Sequence, residues 1–406
     1  MSSVFERTEK YVRQYVKKWG ELSPIYAELP IYSREYRKRK NKLLEGSISG
    51  IFRLLNDFPK KQSEKQRRIS ELKALVENSA IAHFEIRSPD LKREMLDGIM
   101  DVTDKFFAQA KEFDPSLKEI DIMQAMRNVW IMNMVQMLAG IPVQYTPSIF
   151  AYSMLYPYTD NFLDDPKITL GEKQQFNKRL SRRLKGEYLS PLNALEEKAF
   201  SLVAMIEWQF PRQQYKDVFD SVLAIQEGQI KSLTQQTGLG MAETKILRIS
   251  AEKGGASVLA DAYLVCGDLD ERMFEFAMGF GFILQLVDDL QDAASDCTVS
   301  HCTMFSSRVA QKRKLDDAAQ KLILFVTQEL NYDTIADTHI KREIKRIMTE
   351  NCILMIFEAV SKNQKLFSKQ FLKFAQEHSE LSMGQFVRAN KKIKRKMRSI
   401  QSQRLL

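Results

Sequence analysis

The stretch Gly281-Phe282-Ile283-Leu284-Gln285-Leu286-Val287-Asp288-Asp289-Leu290-Gln291-Asp292 decides how this chain is read. Three carboxylates end a segment that is otherwise apolar apart from Gln285. Ionised side chains in such a setting cost free energy unless something pairs with them. No Lys or Arg lies between Met278 and Ser307, so the partner is not local. A cation from outside the chain is the simplest compensation. Asp288, Asp292 and Asp296 follow at i, i+4 and i+8, which on one helix stacks three like charges along one face. All-oxygen ligands suit hard Mg²⁺ or Mn²⁺, and Mg²⁺ usually binds through one or two carboxylates plus substrate phosphates. A solvated acidic helix end is the plain alternative.

A second acidic cluster lies upstream, in Tyr156-Pro157-Tyr158-Thr159-Asp160-Asn161-Phe162-Leu163-Asp164-Asp165-Pro166. Asp160 and Asp164 are again four apart, Asp165 follows, and Pro166 is placed to close the helix. The clusters stand 128 residues apart, so only the fold can join them. Two acidic helix ends facing across a pocket would hold several divalent ions and grip a diphosphate.

Composition favours long helices. Only 16 Gly and 11 Pro occur in 406 residues, too few for many strand-joining turns. Apolar residues recur at three and four positions, which predicts helices over 92–112, 119–138, 194–209, 214–238, 241–266, 270–295, 308–330 and 340–376. The segment 119–138 is apolar nearly all round and reads as a buried helix, ended by Gly140 and Pro142; Thr146-Pro147 opens the next. No alternating strand pattern and no repeat emerges.

The run Gly-x-x-x-Gln-x-x-Asp-Asp-x-x-Asp at 281–292 resembles the second aspartate-rich motif of trans-prenyltransferases, members of the class I isoprenoid (terpenoid) synthase superfamily. Asp160 to Asp165 resembles a variant of the first, reading Asp-x-x-x-Asp-Asp in place of Asp-Asp-x-x-Asp. Gly228-Gln229 resembles the family's midway Gly-Gln, and Lys253, before Gly254-Gly255, stands where the family has Lys-Thr. The resemblance spans roughly 120–310 and implies an all-α fold, a single large helical bundle of the class I terpenoid synthase type. We divide the chain into a basic helical extension (1–90), that bundle (91–380) and a basic tail (381–406).

The resemblance implies Mg²⁺, with Mn²⁺ as a substitute, as several ions held by Asp160, Asp164, Asp165, Asp288, Asp289, Asp292 and Asp296. Of these, Asp160, Asp164, Asp288 and Asp292 are the catalytic expectation. Gln229, Lys253, Gln285 and Arg308 are expected at the substrate, with Lys312 and Arg313 beside Arg308 able to close over a diphosphate. Tyr158, Phe162, Phe280 and Phe282 are candidates to steady a carbocation. The N-terminal Gly-Lys-x-x-Arg of chain-elongating synthases has no match. Arg182-Arg183 lies 17 residues beyond Asp165, too far to serve as the family's arginine pair, and Ser232 stands where an Asp is expected after Gly-Gln. These departures favour ionisation of one allylic diphosphate, as in a terpene cyclase. Head-to-tail or head-to-head prenyltransferases and a non-catalytic relative are the alternatives.

Residues 34–42 and 391–398 carry twelve Lys and Arg against a net charge of +9. Such runs are solvated faces or tails, or meet an anionic membrane surface where an isoprenoid would partition. Nucleic acid is not expected, because no recognition motif accompanies the charge. A homodimer is allowed. Cys266, Cys297, Cys302 and Cys352 lack CxxC spacing and no leader precedes them, which points to the cytoplasm, with peripheral attachment to a membrane as an addition. Cys297, His301 and Cys302 lack a fourth zinc ligand and read as loop residues. No uncharged apolar run is long enough to span a bilayer.

Overall fold

The computed structural model describes residues 3–56, 61–93, 98–165, 167–237, 240–331 and 338–403. Among them no strand occurs; the chain is all-α. The helices are α1 (Val4–Glu21), α2 (Arg34–Asn56), α3 (Gln62–Phe84), α4 (Pro89–Arg93), α5 (Ile99–Phe113), α6 (Glu119–Ala139), α7 (Pro147–Asp164), α8 (Leu170–Leu184), α9 (Ala194–Gln209) and α10 (Lys216–Ser232). They continue with α11 (Glu243–Cys266), α12 (Glu271–Gln291), α13 (Ala293–Thr298), α14 (Met304–Ala310), α15 (Asp316–Asn331), α16 (His339–Lys362), α17 (Lys369–His378) and α18 (Met383–Gln403).

Local chemistry fixes the ends that matter. The Thr146 hydroxyl accepts from the Ile149 amide and Pro147 starts α7, so its first turn is capped. Gly140 ends α6 at φ 74°, the left-handed cap. Ser3 with Glu6, and Thr169 with Glu172, form capping boxes that start α1 and α8.

The centre of the molecule is the α10–α11–α12 layer. Two glycines set its spacing. A Cβ on Gly281 would lie 2.0 Å from the Gly254 carbonyl oxygen, so α11 and α12 touch backbone to backbone. A Cβ on Gly228 would sit 3.0 Å from the Lys253 Cα, which brings α10 against the same turn of α11. The helix α1 lies on this layer: Tyr15 and Trp19 are buried against Phe282 and Phe325.

Several expected helices are shorter than the apolar pattern predicts. The helix expected over 270–295 breaks at Asp292, which leaves helical geometry (φ −100°, ψ 6°) and separates α12 from α13. Asp296 therefore belongs to a second helix, although the Asp292 and Asp296 amides still bond to the Asp288 and Asp292 carbonyls at 3.0 and 2.8 Å and all three aspartates border one cavity. The span 308–330 divides into α14 and α15 around Lys312 at φ 57°, and 340–376 divides at Asn363. The helix expected at 214–238 ends as α10 at Ser232 and continues only as a short 3₁₀ turn, Leu233–Thr237. Of 92–112, Lys92 and Arg93 end α4, Ile99 onward forms α5, and 94–97 lie outside the described residues. On α6 the apolar surround is incomplete, since Met123 and Trp130 face outward.

Candidate active site

The sequence-distant residues converge on one cavity of about 770 Å³, within the ~300–1,000 Å³ typical of small-molecule sites. Asp160, Gln229, Lys253, Gln285, Asp288, Asp289, Asp292 and Asp296 all line it. Three helices run from its charged end to its apolar end. On α7 the wall passes from Asp160 and Thr159 to Leu155 and Tyr152. On α10 it passes from Gln229 and Gln226 to Ile225 and Val222, and α8 adds Lys173, Leu180 and Leu184. Residues four apart share a helix face, which is why each wall grades from polar to apolar. A further cavity of about 430 Å³, between the α1–α2 connection and α15–α17, contains no member of either acidic cluster.

The carboxylates are held differently. Asp160 accepts from Gln229 Nε2 at 2.7 Å, which ties the first cluster to the Gly-Gln pair. Asp289 is turned inward, accepting from Gln285 Nε2 at 2.8 Å and Ser250 Oγ at 3.2 Å. Burial pushes its pKa up to about 7, against the lowering effect of Gln285. Burial also raises Asp288, and Asp292 raises it further; Asp292 is raised by burial and then by Asp296. None of the described ion pairs includes Asp288 or Asp292. Asp296 lies 3.7 Å from His301 Nδ1, and that carboxylate raises the imidazole pKa.

A divalent metal fits this donor set. The side chains are hard oxygen ligands, and the unmatched negative charge of Asp288 and Asp292 is what such an ion would neutralise. Among the described residues no three His, Cys, Asp or Glu side chains meet at one point. Carboxylate oxygens suit ions that keep waters and phosphate oxygens in their shell, as Mg²⁺ does.

Other expected residues fall elsewhere. The Asp164 side chain lies outside the described residues. Asp165, which ends α7 in extended geometry, accepts from the Lys167 amide at 2.8 Å and does not line the cavity. Arg308 pairs with Glu243 at 3.1 Å, and neither it, Lys312 nor Arg313 lines the cavity. The four candidate aromatics pack outside it too: Tyr158 donates to Asp114, Phe162 meets Phe176, Phe280 meets Phe276, and Phe282 meets Tyr15, Trp19 and Phe325. Among the described residues, Tyr152 is the tyrosine that lines it.

Sequence reasoning missed Tyr152, Lys173, Asn128 and His301. Tyr152 was findable, because it precedes Asp160 by eight residues, two turns on one face. Lys173 is buried, and only the Thr169–Glu172 capping box, which fixes the start of α8, hinted at its helix. Arg127, exposed on α6, lies close enough to lower both Asp288 and Asp292, and nothing in its sequence setting marked it.

Comparison with known proteins leaves these residues to speak for themselves. No family model matches the chain, and no curated protein does. Among solved structures it is similar to a decaprenyl diphosphate synthase from Rhodobacter capsulatus, with 15% identity over 88% of this chain and 99% of that one. The TM-score is 0.30, and a superposition that loose assigns neither family nor chemistry. No described helix is long and apolar enough to cross a membrane.

Proposed function

We propose that this cavity ionises an allylic prenyl diphosphate with Mg²⁺, in the manner of a class I terpene cyclase. One observation carries the reading: acidic ends from α7 and α12–α13 border the same cavity, whose walls then turn apolar at Leu155, Leu180, Leu184, Val222 and Ile225. A diphosphate belongs at the first end and a hydrocarbon chain at the second. Asp160, Asp288, Asp292 and Asp296 are the residues that would hold Mg²⁺, which when bound neutralises charge on the departing diphosphate. Lys253 faces the same end and supplies a fixed positive charge to diphosphate oxygens. Gln229 orients Asp160, and Gln285 orients Asp289. The apolar walls exclude water from the carbocation, and the Tyr152 ring offers it a π face.

Prenyl transfer between two substrates is the second reading. Lys173, buried on α8 and part of no described ion pair, adds another cation to the cavity and could receive a second diphosphate. Diphosphate release from geranyl, farnesyl and geranylgeranyl diphosphates, each with and without isopentenyl diphosphate, separates the two. Release from one allylic substrate alone, with a hydrocarbon or alcohol product, is the expected result. Turnover only with isopentenyl diphosphate establishes the second reading, and no release from folded protein with Mg²⁺ defeats both.

A further inference from the structure

The two most basic stretches stand at opposite ends of the sequence, yet the fold sets them side by side. The helices α2 and α18 run in the same direction: Asn41 donates to Ser382 at 3.0 Å, Glu45 lies 3.7 Å from Arg388, and Lys392 donates to Ser49 at 2.6 Å. On α2, Arg34, Lys38 and Lys42 follow at i, i+4 and i+8 and are exposed. On α18, residues 391–395 are all exposed, and the whole helix carries seven basic residues and no acidic one.

A solvated face interleaves both signs. Other helices of this chain do so through i, i+4 pairs such as Lys17–Glu21 and Lys105–Asp101. Here Arg34, Lys38, Lys42, Lys391, Lys394 and Arg395 take part in no described ion pair. Aliphatic side chains stand among the cations: Ile31, just before α2, is 75% exposed and Ile393 is 37% exposed. Basic residues around outward apolar side chains make the pattern of an interfacial helix. A polyphosphate chain such as nucleic acid would not reward the aliphatic groups.

The face also adjoins the cavity. Glu358 of α16 accepts from Asn390 Nδ2 of α18 at 2.6 Å and from Gln291 Nε2, next to Asp292, at 3.5 Å. Lys394 stands one turn beyond Asn390, on the face that meets this junction.

We propose that α2 and α18 together form a docking face for an anionic lipid bilayer, held so that the aspartate end of the cavity lies beside the membrane surface. Its use, delivery of a substrate that partitions into lipid, rests on the prenyl diphosphate reading. The docking itself does not, and its test reads no turnover. The full chain is mixed with vesicles of phosphatidylcholine alone or of phosphatidylcholine with phosphatidylserine, and sedimented. Binding is expected to the anionic vesicles only, and to fall as salt is raised. The pairs Lys38→Glu with Lys42→Glu on α2, and Lys391→Glu with Arg395→Glu on α18, should each weaken it more than about tenfold. The control pair Lys17→Glu with Lys105→Glu changes net charge equally and should leave it intact. Equal binding to both vesicle types, no binding to either, or equal loss in the control pair would overturn the proposal. So would retention on single-stranded RNA at a salt concentration that releases the protein from anionic vesicles.

Discussion

At the residue scale, the carboxylates of α12 are held against their own stability. Asp292 is pushed toward the neutral form by burial and by Asp296, so removing its charge relieves repulsion in the metal-free protein. Asp292→Asn should melt slightly higher than the parent without metal, the gain kept small because the side chain is exposed to solvent. It should also lower Mg²⁺-dependent diphosphate release by roughly 10²–10⁴-fold. Calorimetry and a phosphate-coupled assay read the two effects, and a variant that loses both stability and activity would refute a site role. Asp261 gives a second, purely structural case. It is fully buried, accepts from Asn128 at 2.9 Å, and its Oδ2 has no hydrogen-bond partner. Burial raises its pKa well above the usual carboxylate range. A raised folded pKa means stability that is full below the unfolded value of about 3.9 and is lost as pH rises toward the folded value. Asp261→Asn should therefore melt higher than the parent at pH 7 and level with it near pH 4. A constant difference across that range would show that Asp261 is ionised in the fold.

At the element scale, the α11–α12 crossing decides whether Lys253 and Gln285 face one cavity. Gly281→Ala places a methyl 2.0 Å from the Gly254 oxygen, so backbone must shift, at a cost of about 1–3 kcal/mol or more. Gly46→Ala, mid-helix in α2 with nothing within 4 Å, should instead stabilise by about 1 kcal/mol. Urea titration of both variants checks the contrast; a tolerated Gly281→Ala would mean that the helices are not in backbone contact. The extent of α6 and the capped start of α7 were legible in the sequence. The breaks were not. Neither Asp292 nor Lys312 is flanked by Pro or Gly, and the apolar pattern runs through both, so nothing local announces where α12 or α14 stops. The aromatic ring at the site was misjudged for a related reason. Proximity in sequence to the aspartates picked Tyr158 and Phe282, but helix geometry turns those toward Asp114 and α1 and turns Tyr152 inward.

At the scale of the whole molecule, the two acidic ends are joined only by the bundle, so ligand binding should be felt as global stability. A ligand that binds the folded state alone adds about 2.7 kcal/mol at one hundred times its dissociation constant. Inorganic diphosphate without metal meets Asp160, Asp288, Asp292 and Asp296 and is repelled. Mg²⁺ without diphosphate lacks the phosphate oxygens that usually complete its shell. Only the pair supplies both the missing cation and the missing oxygens. Thermal unfolding should therefore rise by several degrees with Mg²⁺ and diphosphate together and by far less with either alone, the shift being non-additive. Asp160→Asn and Asp292→Asn should each abolish it although they sit on different helices, because each removes one side of the same bridge. A full shift with diphosphate alone would place the anion on Lys173 and Lys253 without metal, and the aspartates would then need another explanation.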